Sequence, residues 1–171
     1  MRAWIWIAAS SLILAAAGPA RAESARAVLA DKAGKSVGEA LLDQTPHGVV
    51  IHLDLQGLPP GTHAIHVHAV GKCDPPDFTS AGGHFNPAGH QHGVENPAGM
   101  HAGDLPNLEV PADGKLKVDV FAPAVSLKAG KASLFDADGS ALVIHEKADD
   151  YKSDPAGNAG SRIACGVVTR P

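Results

Sequence analysis

The sequence predicts an all-β protein of the sandwich or barrel type, and three observations lead to that prediction. Short runs of alternating apolar and polar residues recur along the chain, most clearly at residues 49–55. Turn residues separate these runs, as in Gly57-Leu-Pro-Pro-Gly61, where Pro cannot donate to a strand ladder and Gly tolerates positive φ. Finally, no segment carries a convincing helical periodicity. Together these features favour a β-sandwich or barrel with two long irregular excursions.

Alternating runs predict strands from residue 25 to residue 169. In the clearest one Ile51 and Leu53 lie on one face, while His52 and Asp54 lie on the other. Residues 124–135 are ambiguous and are interpreted as a crossing segment, and the two excursions cover residues 71–104 and 146–161. The predicted strands are residues 25–30, 36–42, 49–55, 62–70, 107–110, 115–121, 141–145 and 162–169.

The first 22 residues have the pattern of a secretory signal peptide. Arg2 supplies the positive start, residues 4–17 the apolar stretch, and Ala20-Arg21-Ala22 a small-x-small cleavage site. The apolar run is short for a membrane span, and an uncleaved anchor is the alternative. The pattern predicts that residues 1–22 are removed and that residues 23–171 form one exported domain.

The net charge disfavours some classes of partner, and the two cysteines predict a disulfide. The net charge of the whole chain is −4, and removal of Arg2 and Arg21 makes it more negative, which disfavours nucleic acid and anionic membrane as partners. In an exported protein the two cysteines, Cys73 and Cys165, are expected to pair. In the chain-entropy model, such a bond stabilises the folded state by about 4–5 kcal/mol. The alternative is a pair of buried free thiols.

Histidines concentrate in one part of the chain and predict a metal site. Seven of the ten histidines lie in the stretch from Gly61 to Asp104. His66 and His68 share one face of a predicted strand, so their imidazoles can reach one ion, although such pairs are often simply solvated. His84, His92, His101 and Asp104 follow on the first excursion, and three imidazoles with one carboxylate make a four-coordinate zinc set. The alternative is a flexible loop that binds metal adventitiously.

Motifs spread over most of the chain make it similar to a known family, the secreted bacterial copper/zinc superoxide dismutases. The matching motifs are Gly57-Leu-x-Pro-Gly-x-His-x-x-His-x-His68, Gly83-His-Phe-Asn-Pro87, His92-Gly93, His101-x-Gly-Asp-Leu-x-Asn107, Val143-x-His-Glu-Lys-Ala-Asp-Asp150 and Gly157-Asn-Ala-Gly-Ser-Arg-x-Ala-Cys-Gly166. The resemblance implies a Greek-key β-sandwich or barrel of immunoglobulin-like type, with about eight strands and two long functional loops.

The resemblance also implies a ligand set for one copper and one zinc. His84 is shared as a bridge between the ions and delivers a proton during turnover, so that it is catalytic as well as a ligand. Asp149 accepts hydrogen bonds from ligand imidazoles of both sites, and Arg162 guides the anion to copper. The implied copper ligands are His66, His68, His84 and His145, and the implied zinc ligands are His84, His92, His101 and Asp104.

The implied activity is dismutation of superoxide to dioxygen and hydrogen peroxide in the periplasm. Superoxide is the expected partner, with no nucleic acid, no membrane after signal cleavage, and monomer and homodimer both open. The alternative is a secreted copper- and zinc-binding buffer protein without turnover. A zinc hydrolase would need an open zinc position and a general base, and neither is evident in the sequence.

His63, His47 and His52 fall outside the implied ligand set. His63 matches a family position that is not a ligand and is expected to be structural, while His47 and His52 are expected at the surface. Many secreted bacterial relatives carry lysines where this chain has residues 88–91, which include His90. Steering at neutral pH is therefore expected to rely on Arg162, Lys147 and Lys152.

Overall fold

The structure, a computed structural model, describes residues 23–171, so the signal peptide predicted at residues 1–22 lies outside the described residues. Within the described part there is no helix long and apolar enough to cross a membrane. A single 3₁₀ turn covers Thr79–Ala81. The strands are β1 (Ser24–Asp31), β2 (Ser36–Thr45), β3 (Gly48–Gln56), β4 (Gly61–His63), β5 (Ile65–His68), β6 (Leu108–Val110), β7 (Lys115–Ala122), β8 (Ala141–His145) and β9 (Arg162–Val167).

The strands form one curled sheet of seven and a small sheet of two. The order in the large sheet is β5-β8-β9-β1-β2-β3-β7, and β4 pairs with β6 in the small one. The pairing of β3 with β7 and of β5 with β8 joins strands that are not sequence neighbours, as Greek-key crossings require. The predicted all-β fold is confirmed.

The core lies on the inner face of the curled sheet. In β3 Val49, Ile51, Leu53 and Leu55 are buried and alternate with more exposed residues, as the period of two predicts. A second, smaller cluster lies beneath the first excursion and is formed by Phe78, Ala81, Ala141, Val143 and Cys165. This cluster supports the loop segment that carries the disulfide.

The strand predicted at residues 62–70 is wrong in one respect, because the structure divides it into β4 and β5. Ala64 lies between them: its N–H donates to Lys147 O (2.8 Å) and its carbonyl accepts from His145 N (2.9 Å). The chain therefore changes from the small sheet to the large one at this residue. Every residue of β5 is buried, including the face that carries His66 and His68.

Candidate metal centre

Four buried histidines from different parts of the fold converge at one end of the sheet. β5 carries His66 and His68, and its antiparallel partner β8 carries His145. His84 comes from the first excursion and lies beside His68, with which it forms an isolated β-bridge. Ligand atoms of His66, His68, His84 and His145 all lie within 4.8 Å of one another. These are the four residues that the resemblance implied for copper.

Hydrogen bonds on the far side of three of these rings determine which nitrogen carries the proton. His66 Nε2 donates to Asp149 Oδ2 (2.7 Å), and His68 Nδ1 donates to Gly82 O (2.9 Å). His145 Nδ1 faces Gly160 O at 3.4 Å. Since carboxylates and carbonyls only accept, each neutral ring keeps a lone pair on its other nitrogen.

The nitrogens that carry these lone pairs lie close to one another. His68 Nε2 lies 3.4 Å from His145 Nε2. Among the described residues, His66 Nδ1 and His84 Nε2 are buried side-chain nitrogens without a hydrogen-bond partner. Buried polar atoms are normally paired, so four converging imidazole lone pairs fit a bound cation. Imidazole suits copper in both of its oxidation states.

A second group of ligand atoms surrounds the Nδ1 side of His84. Asp104 Oδ1 lies 2.9 Å from His84 Nδ1, 3.0 Å from His92 Nδ1 and 3.3 Å from His101 Nδ1. His101 Nδ1 is also 3.4 Å from His84 Nδ1. The other oxygen of Asp104 accepts the backbone N–H groups of Gly93 (3.0 Å) and His101 (2.9 Å). Three nitrogens and one carboxylate oxygen are a ligand set typical of zinc.

Asp149 connects the two groups. Its Oδ2 accepts from His66 Nε2 at 2.7 Å and its Oδ1 from His92 Nε2 at 2.9 Å. The carboxylate is almost fully buried, and it therefore holds one ring of each group in a fixed orientation. The resemblance implied contacts from Asp149 to imidazoles of both sites, and in the structure Asp149 contacts one histidine of each group.

Comparison with known proteins identifies the family. The family model for copper/zinc superoxide dismutase matches residues 36–168. The chain is 56% identical over 142 residues to Superoxide dismutase [Cu-Zn] 1 of Aquifex aeolicus, covering 82% of this chain and 84% of that protein. It is 47% identical over 148 residues to Superoxide dismutase [Cu-Zn] of Caulobacter vibrioides, covering 85% of each. The chain belongs to the copper/zinc superoxide dismutase family.

Solved structures of the superoxide dismutase family agree with this assignment. A superoxide dismutase-like protein from Bacillus subtilis matches with a TM-score of 0.81 and 48% identity, covering 83% of this chain and 96% of that one. The Cu/Zn superoxide dismutase from Brucella abortus matches with a TM-score of 0.70 and 32% identity, covering 85% and 99%. Members named superoxide dismutase-like also share this fold, so the ligand groups, rather than the fold, bear on activity.

Burial keeps His66, His68 and His145 unprotonated. Burial, assisted by the neighbouring His84, lowers the pKa of His66 to about 4. Burial and then the charge of His66 lower the pKa of His145 to about 3, and burial also lowers the pKa of His68. At neutral pH these rings are neutral, and their lone pairs are available to a cation.

The second group, around Asp104 Oδ1, has a different electrostatic balance. Burial alone would lower the pKa of His92, but hydrogen bonds to Asp104 and Asp149 raise it to about 9. Burial opposes ionisation of Asp104 and Asp149, yet hydrogen bonds from the histidines hold both carboxyl pKa values well below their usual range. Burial lowers the pKa of His101. Zinc at His92 Nδ1 would replace a proton, so zinc uptake is coupled to proton release.

Arg162 lies beside the copper group, where β8 and β9 pair His145 with Arg162. Its two terminal nitrogens donate to Phe78 O (2.5 Å) and Gly82 O (2.6 Å). Gly82 O also accepts from His68, so one carbonyl holds both the arginine and a histidine of the copper group. The predicted disulfide between Cys73 and Cys165 is confirmed, with a sequence separation of 92. It ties this loop to the strand that carries Arg162.

Three residues around the dismutase site were not assigned a role from the sequence. Asn107 Oδ1 accepts from Asp149 N (2.8 Å), and Asn107 Nδ2 donates to Asp149 O (2.9 Å). Tyr151 Oη accepts from Asn107 N (2.7 Å), and Asp154 Oδ1 accepts from His92 N (2.7 Å). Asn107 ends one of the family motifs, so the sequence could have marked it as a site residue. Tyr151 and Asp154 lie outside the matched motifs.

The other histidines of the described chain are held apart from the ligand groups. His63 is buried, with Nδ1 2.8 Å from His145 O and Nε2 2.9 Å from Pro59 O. His52 lies on the outer face of the sheet, with Nδ1 2.7 Å from Asp119 Oδ1. His90 is exposed, and its Nδ1 lies 3.1 Å from Met100 O. These contacts are to backbone carbonyls or a surface carboxylate.

Proposed function

We propose that this protein dismutes superoxide to dioxygen and hydrogen peroxide, using one copper and one zinc per chain. The observation that carries the proposal is the position of His84 between two buried ligand groups. Its Nδ1 faces Asp104 Oδ1 at 2.9 Å, while its Nε2 is buried without a hydrogen-bond partner on the side of the copper group. Each nitrogen of this imidazole therefore faces one ligand group, and His84 can hold both cations once its Nδ1 proton is lost, as the family's paired metal site requires.

The proposed copper ligands follow from the free lone pairs, and the proposed zinc ligands are the atoms grouped around Asp104 Oδ1. Copper is assigned to His66 Nδ1, His68 Nε2, His84 Nε2 and His145 Nε2. Zinc is assigned to the Nδ1 atoms of His84, His92 and His101 and to Asp104 Oδ1.

The fourth zinc ligand has two candidates on distance alone. Ligand atoms of His66 lie within 4.8 Å of those of His84, His92 and Asp104, so His66 is close enough to both groups. However, its Nε2 is committed to Asp149, and its single free nitrogen belongs to the copper group. His101 Nδ1 lies 3.3 Å from Asp104 Oδ1, and we therefore assign His101 to zinc.

The chemistry divides between the ions and the protein. When bound, copper supplies the one-electron redox couple and zinc supplies a fixed positive charge. One superoxide leaves as dioxygen after giving up an electron, and a second takes that electron and two protons to leave as hydrogen peroxide. In this proposal His84 Nε2 holds and delivers one of those protons. The Arg162 guanidinium, fixed by Phe78 O and Gly82 O, attracts the anion to the site.

The compartment and the boundaries of the mature chain belong to the same proposal. The disulfide and the bacterial relatives support an exported protein. We propose the periplasm, with cleavage after Ala22 and a mature domain of residues 23–171. Intact mass of the protein purified from the periplasm tests the cleavage site, and light scattering of the same sample tests whether it forms a homodimer.

The decisive experiment is a dismutation assay on the mature protein loaded with copper and zinc. His145→Ala removes one proposed copper ligand, and we expect a loss greater than the roughly 100-fold given by changes to outer partners of a metal. His52→Ala is the matched control, because His52 lies on the outer face of the sheet and contacts Asp119. Equally slow rates for the parent and His145→Ala would favour the buffer protein instead.

A further inference from the structure

Tyr151, the single tyrosine of the chain, joins three segments around the proposed metal site. Its N–H donates to Asp149 Oδ1 (2.7 Å). Its carbonyl accepts from Glu95 N (3.0 Å), which lies in the excursion that also carries His92 and His101. Its phenol oxygen accepts from Asn107 N (2.7 Å), three residues after Asp104. Each polar group of Tyr151 therefore has a different segment as its partner.

The backbone of Tyr151 has an unusual conformation that these contacts maintain. Its φ is 64°, in the left-handed region that bulky side chains rarely occupy. Gly93 packs directly against the Tyr151 carbonyl and has no room for a Cβ there. Strained residues persist where the surroundings fix them, and they concentrate at functional sites. The positive φ of Tyr151 therefore indicates that its contacts matter for the nearby site.

Asp149 is held by Tyr151 both directly and through Asn107. Tyr151 N bonds the Asp149 carboxylate, while Asn107 bonds the backbone N–H and carbonyl of Asp149 at 2.8 and 2.9 Å. The phenol oxygen then fixes Asn107 itself. Asp149 in turn contacts His66 of the copper group and His92 of the zinc group. A displacement of Tyr151 is thus transmitted to a ligand of each metal.

We propose that Tyr151 is a positioning residue that couples zinc binding to the orientation of Asp149, and through Asp149 to His66. The proposal rests on the zinc ligands of the proposed function. Zinc fixes His92 and Asp104, which lie on the two segments that Tyr151 joins to Asp149. Without the phenol oxygen, Asn107 N loses its acceptor, and Asp149 is held less firmly for both histidines.

The test is zinc affinity of the mature protein, measured with zinc alone by competition with a chelator. Partners outside the ligand shell typically change metal affinity by 10–100-fold, and for Tyr151→Phe we expect about tenfold weaker binding. The matched control is Ser153→Ala, which also removes one hydroxyl from the same loop. The Ser153 hydroxyl donates to the exposed Asp150 (2.6 Å) and makes no contact with Asp149, so its affinity is expected to stay within about twofold.

Thermal melting distinguishes positioning from a purely structural role. A positioning role leaves the Tm of the metal-free protein unchanged and reduces the increase in Tm that zinc produces, because that increase follows zinc affinity. A fall in Tm of equal size with and without zinc, at unchanged zinc affinity, would overturn the proposal. Zinc affinity of Tyr151→Phe within twofold of the parent would overturn it as well.

If Tyr151→Phe fails to fold, hydrogen exchange of the unmodified protein still tests the proposal. The Asn107 amide is expected to exchange slowly in the zinc-loaded protein and rapidly in the metal-free protein, since its acceptor is then released. Equally slow exchange in both forms would contradict the coupling. None of these measurements needs turnover, so a protein that binds both metals without dismuting superoxide would overturn the proposed function alone.

Discussion

The two halves of the metal centre are built from different kinds of structure. His66, His68 and His145 lie on β5 and β8, which pair with each other and are buried throughout. The proposed zinc ligands lie on the first excursion, where few backbone hydrogen bonds reach the sheet. Among these are the bonds from Val67 N to Gly103 O (2.9 Å) and from Phe85 N to Val67 O (2.8 Å). The difference indicates that the sheet positions most of the proposed copper ligands, whereas the disulfide and, in the proposed function, zinc organise the loop.

Metal removal gives the largest expected contrast between the two halves. Without metal, amides of the first excursion are expected to exchange at least about 100-fold faster, because ligand binding supplies much of the loop's stability. Amides of β1, β2 and β3 are expected to change little, since their ladders do not depend on metal. Hydrogen exchange followed by mass spectrometry measures both in one sample. Uniform change across loop and strands would contradict the division.

Substitution of Arg162 gives a smaller effect, confined to the path of the anion. Steering by a local positive charge raises on-rates by roughly 10–10³, and Arg162→Ala is expected to lower kcat/KM about tenfold. Metal content is expected to stay the same, because Arg162 contacts the carbonyls of Phe78 and Gly82. Arg162→Lys keeps the charge but loses the two-pronged contact, so an intermediate rate is expected. Loss of copper from Arg162→Ala would show instead that the arginine is part of the ligand framework.

Salt dependence is the smallest predicted effect and concerns the exposed part of the loop. The excursion has no lysine in residues 88–91, and Lys152 Nζ is paired with Glu95 at 2.9 Å, which offsets its charge. The rate at pH 8 is therefore expected to fall less steeply with salt than in relatives that carry lysines there. Gln91→Lys places one positive charge on this loop and is expected to steepen the dependence. Equal slopes for the parent, the variant and such relatives would refute the prediction.

Much of the site was predictable because its chemistry is local in sequence. His66 and His68 are two residues apart on a strand, and His84, His92, His101 and Asp104 follow in one stretch. Those residue types at those spacings indicate metal binding, and the wider motifs indicated the partners that come late in the chain. Strand existence was also predictable, because β3 alternates between buried and more exposed residues from Val49 to Gln56.

Other features could not be predicted, since they depend on contacts between distant segments. The division of residues 62–70 into β4 and β5 follows from backbone bonds between Ala64 and the chain around His145. The roles of Tyr151 and Asp154 depend on polar contacts to Asn107 and His92, which lie more than forty residues earlier, at separations of 44 and 62. Residue type does not reveal such partners.

The sequence by itself determined most of the strands and the candidate ligands, and it favoured the cysteine pair, because these depend on local periodicity and on the chemistry of individual side chains. Only the tertiary structure decided which nitrogen of each imidazole is free. That choice depends on acceptors from elsewhere in the fold, such as Asp149 for His66 and Gly82 O for His68. A histidine can be recognised as a candidate ligand from the sequence, but its lone pair is directed by the neighbour that takes its proton.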